Sequence, residues 1–355
     1  MWSIIKRELK NYMKNPLLWL GVAIGVLMVF QNVSPYLDIH YLKEGETIVN
    51  DYPEMIHQGD VYEGYVPTEK GLRRKIWEER IQEVLISEFE MDNAGVQSLM
   101  TELKDMDIMT ACAHLETYGF YNAYYEYKIT AYHKGSREEI NSYIAQKLEN
   151  RTFSYYFARK FADFAGLFMG FFATVLLSVL FMQDTRRNTY ELLHTKPVSP
   201  GKYLSGKVGG GFAVCLLVLA VLNLVFFTLC LVAAGKQGFE VRLTDFLLAT
   251  CFYILPNMLM IVSVYSLISL LFKNPLPAVP FLFLYIVYSN MGSYRNAHGI
   301  YGYYGRPLAI MVRFPGDFFD TAPPPMALLN QSFLVFAAIC ILFFSMLLWK
   351  RRRIY

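Results

Sequence analysis

Residues 208–234 read VGGGFAVCLLVLAVLNLVFFTLCLVAA, without one charged side chain from end to end. The hydrocarbon core of a bilayer is about 30 Å thick and takes about 20 apolar residues to cross as a helix. No water is present there to pair with the backbone, so an isolated run of this kind crosses as a helix. Working outward, five further runs qualify or nearly qualify: Leu17–Val33, Phe164–Met182, Phe246–Phe272, Leu276–Asn290 and Phe333–Trp349. The run from Leu276 is short and holds Pro277 and Pro280, although Phe281–Tyr288 is continuously apolar or aromatic. The whole chain agrees: 355 residues with 54% hydrophobic and 18% charged positions, against about 25% charged in a soluble domain. Disorder, a collagen-like fibre and a disulfide scaffold are excluded by that balance, and the net charge of +3 does not suggest a nucleic-acid partner. Of five cysteines, Cys215, Cys230, Cys251 and Cys340 lie in apolar runs, leaving Cys112 alone in a polar stretch.

Lys and Arg in short loops set orientation. Lys6, Arg7, Lys10 and Lys14 precede the first run, Arg186, Arg187, Lys196, Lys202 and Lys207 lie between the second and third, and Lys350–Arg353 follow the sixth. An even number of spans with both basic ends on one side places both termini in the cytoplasm. The expected fold is an all-α polytopic membrane protein with six transmembrane helices, an N-terminal interfacial helix and a mostly helical extracellular domain. Its segments are a cytoplasmic interfacial helix 1–16, spans 17–35, 163–182, 208–235, 245–272, 276–290 and 331–349, and a basic tail 350–355. Between the spans lie an extracellular domain 36–162, a cytoplasmic loop 183–207, an extracellular loop 236–244, a cytoplasmic turn 273–275 and an extracellular segment 291–330. The first run has no small-x-small cleavage site after Phe30 and reads as a retained span.

In the N-terminal helix Trp2, Ile5, Leu9 and Met13 recur at helical spacing while Lys6, Arg7 and Lys10 take other faces, the pattern of a helix lying among anionic headgroups. The polar stretch Tyr36–Ala162 holds 22 acidic and 14 basic residues, so the basic excess of the chain lies elsewhere. Trp77, Ile81, Val84 and Leu85, and later Ile140, Tyr143, Ile144 and Leu148, carry the spacing of amphipathic helices. The aromatic run Tyr118, Phe120, Tyr121, Tyr124, Tyr125 and Tyr127 reads as core and interface packing rather than a ligand platform.

Catalytic and metal signatures are missing: no His-Glu-x-x-His, no Cys-x-x-Cys, no Gly-x-Ser-x-Gly, and six histidines with no two at ligand spacing. Gly201–Lys207 fits seven positions of a P-loop, but Val208 stands where Ser or Thr would bind magnesium, and a membrane helix rather than a strand-framed loop surrounds it. The chain therefore is expected to hold no cofactor and to perform no catalysis. Mid-span polar residues are neutral; Asn223, Asn257 and Ser263 serve either as interhelical hydrogen-bonding groups or as the lining of a pathway.

Between the second and third spans Thr189–Thr195 can form a short amphipathic helix that presents Leu192 and Leu193 as an apolar knob before Pro197 stops it. Here the sequence resembles the permease subunit of a type-2 ABC exporter, in the branch with a large extracellular insertion between spans one and two. The resemblance rests on Asp184, Thr189, Glu191, Leu192, Leu193, Thr195, Pro197, Val198, Ser199, Gly206 and Lys207, and on Lys6-Arg7-Glu8-Leu9 with Asn15-Pro16. It departs at Asn188, where the family often has glycine. The resemblance implies that the 183–207 loop is a coupling helix docking onto separate P-loop ATPase subunits, with ATP and magnesium bound there. It also implies a second permease chain, identical or not, short re-entrant helices within 291–330, and a multi-pass protein of a bacterial plasma membrane. A lipid-like, peptide or amphipathic drug cargo suits the composition of the bundle, and sodium export, known among relatives with this insertion, stays open. The competing readings are a membrane-anchored sensor or accessory subunit whose outer domain binds a ligand, and a polytopic membrane enzyme, which the lack of ionisable groups within the spans disfavours.

Overall fold

A computed structural model describes residues 2–46, 48, 59–186, 199–291, 293–295, 301–303 and 305–352. The chain opens with α1 (Trp2–Met13) and α2 (Pro16–Val33). There follow β1 (Tyr65–Pro67), α3 (Lys70–Ser87), α4 (Asn93–Leu103), α5 (Ile108–Thr117), α6 (Ala123–Ile129), β2 (Tyr132–Lys134) and α7 (Arg137–Asn150). The remainder is α8 (Phe153–Arg186), α9 (Pro200–Gln237), α10 (Leu243–Tyr253), α11 (Leu255–Phe272), α12 (Ala278–Asn290), the short strands β3 (Ser293–Arg295) and β4 (Tyr301–Tyr303), and α13 (Ala327–Arg352). These elements divide into two compact units, one of Met1–Asp38, Arg151–Ser293 and Tyr303–Tyr355, the other of Ile39–Asn150 and Tyr294–Gly302.

The first unit is a bundle of apolar helices. Among the described residues five stretches are long and apolar enough to cross a membrane: Pro16–Asp38, Phe153–Val179, Pro200–Gln237, Leu243–Phe272 and Ala327–Arg351. The fifth expected span, 276–290, corresponds to α12, which has 13 residues. At 1.5 Å per residue it reaches only about 20 Å, because Pro275 and Pro277 hold the chain in a turn up to Ala278. The expected fourth span, 245–272, falls within the stretch Leu243–Phe272, which is built of two helices, α10 and α11. Pro256 has no N–H to donate and its ring would collide with the carbonyl of Phe252, so the helix breaks at Ile254 and restarts as α11. The expected re-entrant helices are replaced: the described residues between Met291 and Ala327 form turns and the short strands, with no helix. Pro307, Pro315 and Pro323–Pro325 explain this, since each removes a donor that a helix would need.

α8 starts at Phe153, well ahead of the apolar run expected to open at 163. Phe153, Phe157 and Phe161 lie one turn apart and are fully buried. Phe161 packs against Phe226 of α9 and Phe246 of α10, with ring centroids 5.4 and 5.6 Å apart. Ahead of it, Thr152 and Ser154 both donate to the carboxylate of Asp245.

The second unit has its own core. Trp77, Ile81 and Leu85 of α3 are fully buried against Val96, Leu99 and Leu103 of α4 and Cys112 and Leu115 of α5. Trp77 Nε1 donates to the carbonyl of Ala123 at 2.9 Å, so the one polar atom of that side chain is satisfied inside the core. Asp92 and Asp107 cap the N-termini of α4 and α5. β1 and β2 pair antiparallel, with Val66 opposite His133. Burial, then the nearby Glu116 and Asp107 carboxylates, push the Cys112 thiol up to about 12. The thiolate is the reactive form and a free cysteine titrates near 8.5, so at neutral pH Cys112 should alkylate far more slowly than a free thiol. A water-soluble maleimide followed by mass spectrometry of the tryptic peptides checks this; labelling of the folded chain as fast as that of the denatured one would contradict the packing.

Candidate functional site

The expected coupling residues Thr189, Glu191, Leu192, Leu193, Thr195 and Pro197 lie outside the described residues, as does the side chain of Asp184 at the end of α8. What is described is the frame that holds them. α8 runs to Arg186, and α9 begins at Pro200 in the first helical position, where its missing N–H leaves nothing unpaired.

Against the start of α9 lies α1. The sequence places Trp2, Ile5 and Leu9 on one line, but Trp2 is 74% exposed. The face that packs is Ile4, Ile5, Glu8 and Tyr12, and the reason is a seam of glycines on α9. A Cβ on Gly206 would meet Ile4 at 3.0 Å, one on Gly209 would meet Ile5 at 2.9 Å, and one on Gly210 would meet Glu8 at 2.9 Å. Only a surface without side chains lets the two helices come so close. Into that contact Glu8 and Lys207 place opposite charges, Nζ to Oε1 at 3.3 Å, with side chains 2% and 3% exposed. A buried pair of this kind is held by its geometry, because either charge alone would be costly away from water. Arg7 reaches the same oxygen from the exposed side at 3.5 Å. One turn on, Tyr12 donates to the carbonyl of Leu176 at 3.0 Å, tying α1 to α8 as well. Burial, then the Glu8 carboxylate, push the Tyr12 phenol up, so it stays a donor at every physiological pH. Lys6, Arg7 and Lys10 are exposed. Sequence reading quoted Glu8 and Lys207 for the resemblance but did not find that they pair; the available signal was a lone carboxylate among four cations, together with a lysine standing beside a run of glycines.

A second group of charges clamps the turns after Arg306 to α8. Asp163 pairs with Arg313, and Arg313 also donates to Asn290 Oδ1 at 2.9 Å. Lys160 donates to the carbonyl of Gly316, and Arg159 to that of Thr321 at 2.8 Å. These partners allow α8 to carry three charged residues in its apolar length. Asp163 therefore does more than mark a boundary: it fixes Met311–Phe319, whose side chains Met311, Phe314 and Phe318 are buried.

The candidate lining residues are also buried in this chain. Asn223 donates to Leu219 and accepts from Thr250 Oγ1 at 3.0 Å, which joins α9 to α10. Asn257 donates to the carbonyl of Tyr253 at 2.7 Å, across the break between α10 and α11, and Ser263 to that of Leu259 at 2.8 Å within α11. Among the described residues no group of three or more His, Cys, Asp or Glu could hold a metal ion.

Compared with known families, residues 2–299 match the family described as ABC-2 family transporter protein. The searches of curated proteins and of solved structures gave no match.

Proposed function

The chain belongs to the ABC-2 transporter family, whose members are multi-pass membrane components of transporters, and on that premise we propose that it is the permease subunit of an ATP-driven exporter. Two copies, or one copy and a related chain, form the pathway, and separate P-loop ATPase subunits bind ATP and magnesium. The permease itself is not an enzyme. Residues 183–207 carry the ATPase contact through Asp184, Thr189, Glu191, Leu192, Leu193, Thr195 and Pro197, and both termini share that cytoplasmic side of a bacterial plasma membrane. Residues 36–162 form a domain outside the cell. The cargo is lipid-like, a peptide or an amphipathic drug.

The observation that supports this reading best is the α1–α9 contact. α9 begins two residues after the 187–198 segment, and its first turns are joined to α1 by the glycine seam and the Glu8–Lys207 pair. Force on the loop therefore acts on a joined pair of helices. ATP drives the cycle in so far as the ATPase dimer favours one state of the bundle over the other.

The test is purification of the chain from its native membrane with an ATPase assay on what accompanies it. A P-loop ATPase should co-purify, with activity that responds to cargo. Recovery of the chain alone, or with a kinase or protease, would overturn the reading and favour a sensor or accessory role.

A further inference from the structure

Between α2 and α8 runs an open groove of about 480 Å³. Its walls include Leu17, Leu20, Ile24 and Met28 of α2 and Phe171 and Val175 of α8. Two glycines shape it: Gly21 and Gly25 leave room for the rings of Phe172 and Phe168, which would overlap any Cβ there. From Leu17 to Asn32 the groove follows α2 for about 22 Å. One leaflet of hydrocarbon is about 15 Å deep, so an extended acyl chain fits along it. The lining offers almost no polar group. The side-chain amide of Asn32 donates to the carbonyl of Met28 in its own helix at 2.8 Å.

The two ends differ in the cations they leave exposed. Tyr12 is bonded to the carbonyl of Leu176, a groove residue, so the last turn of α1 sits at the Leu17 end. Lys10 belongs to that turn, and Lys14 precedes Leu17 by three residues, which cannot separate them by more than about 11 Å. Both lysines are exposed and neither pairs with a carboxylate among the described residues. The carboxylate nearest in sequence, Glu8, is committed to Lys207 and Arg7. Trp19 stands at the same level, its indole N–H given to the carbonyl of Met13, in the manner of an interfacial anchor. At the Asn32 end Arg159 and Lys160 stand about one turn before the groove residue Phe164 on α8, but they are half-buried and buried and already donate to the carbonyls of Thr321 and Gly316.

An apolar slot with exposed cations at one mouth only is complementary to one kind of molecule. We propose that the α2–α8 groove is a binding site for an anionic glycerophospholipid, with an acyl chain against Ile24, Met28 and Val175 and the phosphate at Lys10 and Lys14. The site goes beyond the exporter reading and requires only that the chain reside in a bilayer. An anionic leaflet attracts each such cation, and the groove converts that general attraction into retention of single molecules. The lipid in turn fills the gap between α2 and α8, next to the α1 anchorage.

The test is native mass spectrometry of the full chain in detergent, loaded with equal amounts of dioleoylphosphatidylglycerol and dioleoylphosphatidylcholine. The wild type should retain the anionic lipid on the order of tenfold more than the zwitterionic one. Lys10→Gln with Lys14→Gln should bring the two to parity without loss of folding, since both side chains are exposed. Val175→Trp, placed on an exposed groove wall, should lower retention of both lipids. Because that variant could disturb packing, Ile24→Trp on the opposite wall serves as its independent counterpart. Equal retention of the two lipids by wild type, an anionic preference that survives loss of both lysines, or unchanged retention in both tryptophan variants would each overturn the proposal. So would high-yield cross-linking of Val175→Cys between two copies, which would assign the groove to a second chain.

Discussion

Replacing Glu8 with alanine should destabilise the protein by about 3–5 kcal/mol, the typical result of removing one partner from a buried ion pair. The carboxylate lies 3.3 Å from Lys207 Nζ where both side chains are almost fully buried, and in the variant the lysine is left in the glycine seam without it. Thermal unfolding in detergent, followed by intrinsic fluorescence, should move to lower temperature. The same chemistry makes a sharper statement about the double variant. Glu8→Met with Lys207→Met keeps the volume and removes both charges, and such replacements are often neutral or stabilising. The double variant should therefore be more stable than Glu8→Ala. Equal losses in the two would mean that packing on Gly206, Gly209 and Gly210, and not the charge pair, holds α1 in place.

The second large effect is expected at the knob. Changing Leu192 and Leu193 to Asp should leave the chain inserted in the membrane and abolish cargo-dependent ATP hydrolysis by the co-purified ATPase. Burying two leucines in a socket contributes about 3–6 kcal/mol, a factor of about 10² to 10⁴ in affinity, and carboxylates placed there would add a desolvation penalty. Glu191→Ala should produce the same loss of coupling with a smaller loss of association. The decisive readout is the ratio of ATP turnover with cargo to that without it, in vesicles that contain equal amounts of permease. Full coupling in both variants would show that the ATPase contact is made elsewhere.

Local patterns in the sequence were read well where one helix face decides the outcome. The repeat of Trp77, Ile81 and Leu85 became the core of the second unit, and the charge-free run 208–234 lies inside α9. Ile140 and Ile144 are likewise buried on α7. What the periodicity did not hold was any pairing across distance. Glu8 and Lys207 are 199 residues apart and Asp163 and Arg313 are 150 apart, and no local spacing signals either. Hydropathy marked Phe246–Phe272 as one span, which lies within the stretch Leu243–Phe272, but gave no sign of the break at Ile254 that Pro256 makes inside it. The same reading drew the start of α8 too late, because Arg159, Lys160 and Asp163 look like an end to an apolar run until their partners near Arg313 are known. Nor did spacing along α1 show that Ile4, Ile5 and Glu8 would meet the glycines of α9 while Trp2 stays exposed.

The pairing of α1 with α9 also sets a timetable for synthesis. At about 5–20 residues per second, the 199 residues between Glu8 and Lys207 take about 10–40 s to emerge. Throughout that interval the glycine seam does not yet exist, and the carboxylate of Glu8 has only its neighbouring cations for company. The nascent helix, with Trp2, Ile5 and three basic residues, is suited to wait on an anionic membrane surface until its partner is made. A ribosome stalled before residue 207 would then carry an N-terminal helix still open to protease, and one stalled well beyond it would carry a closed one.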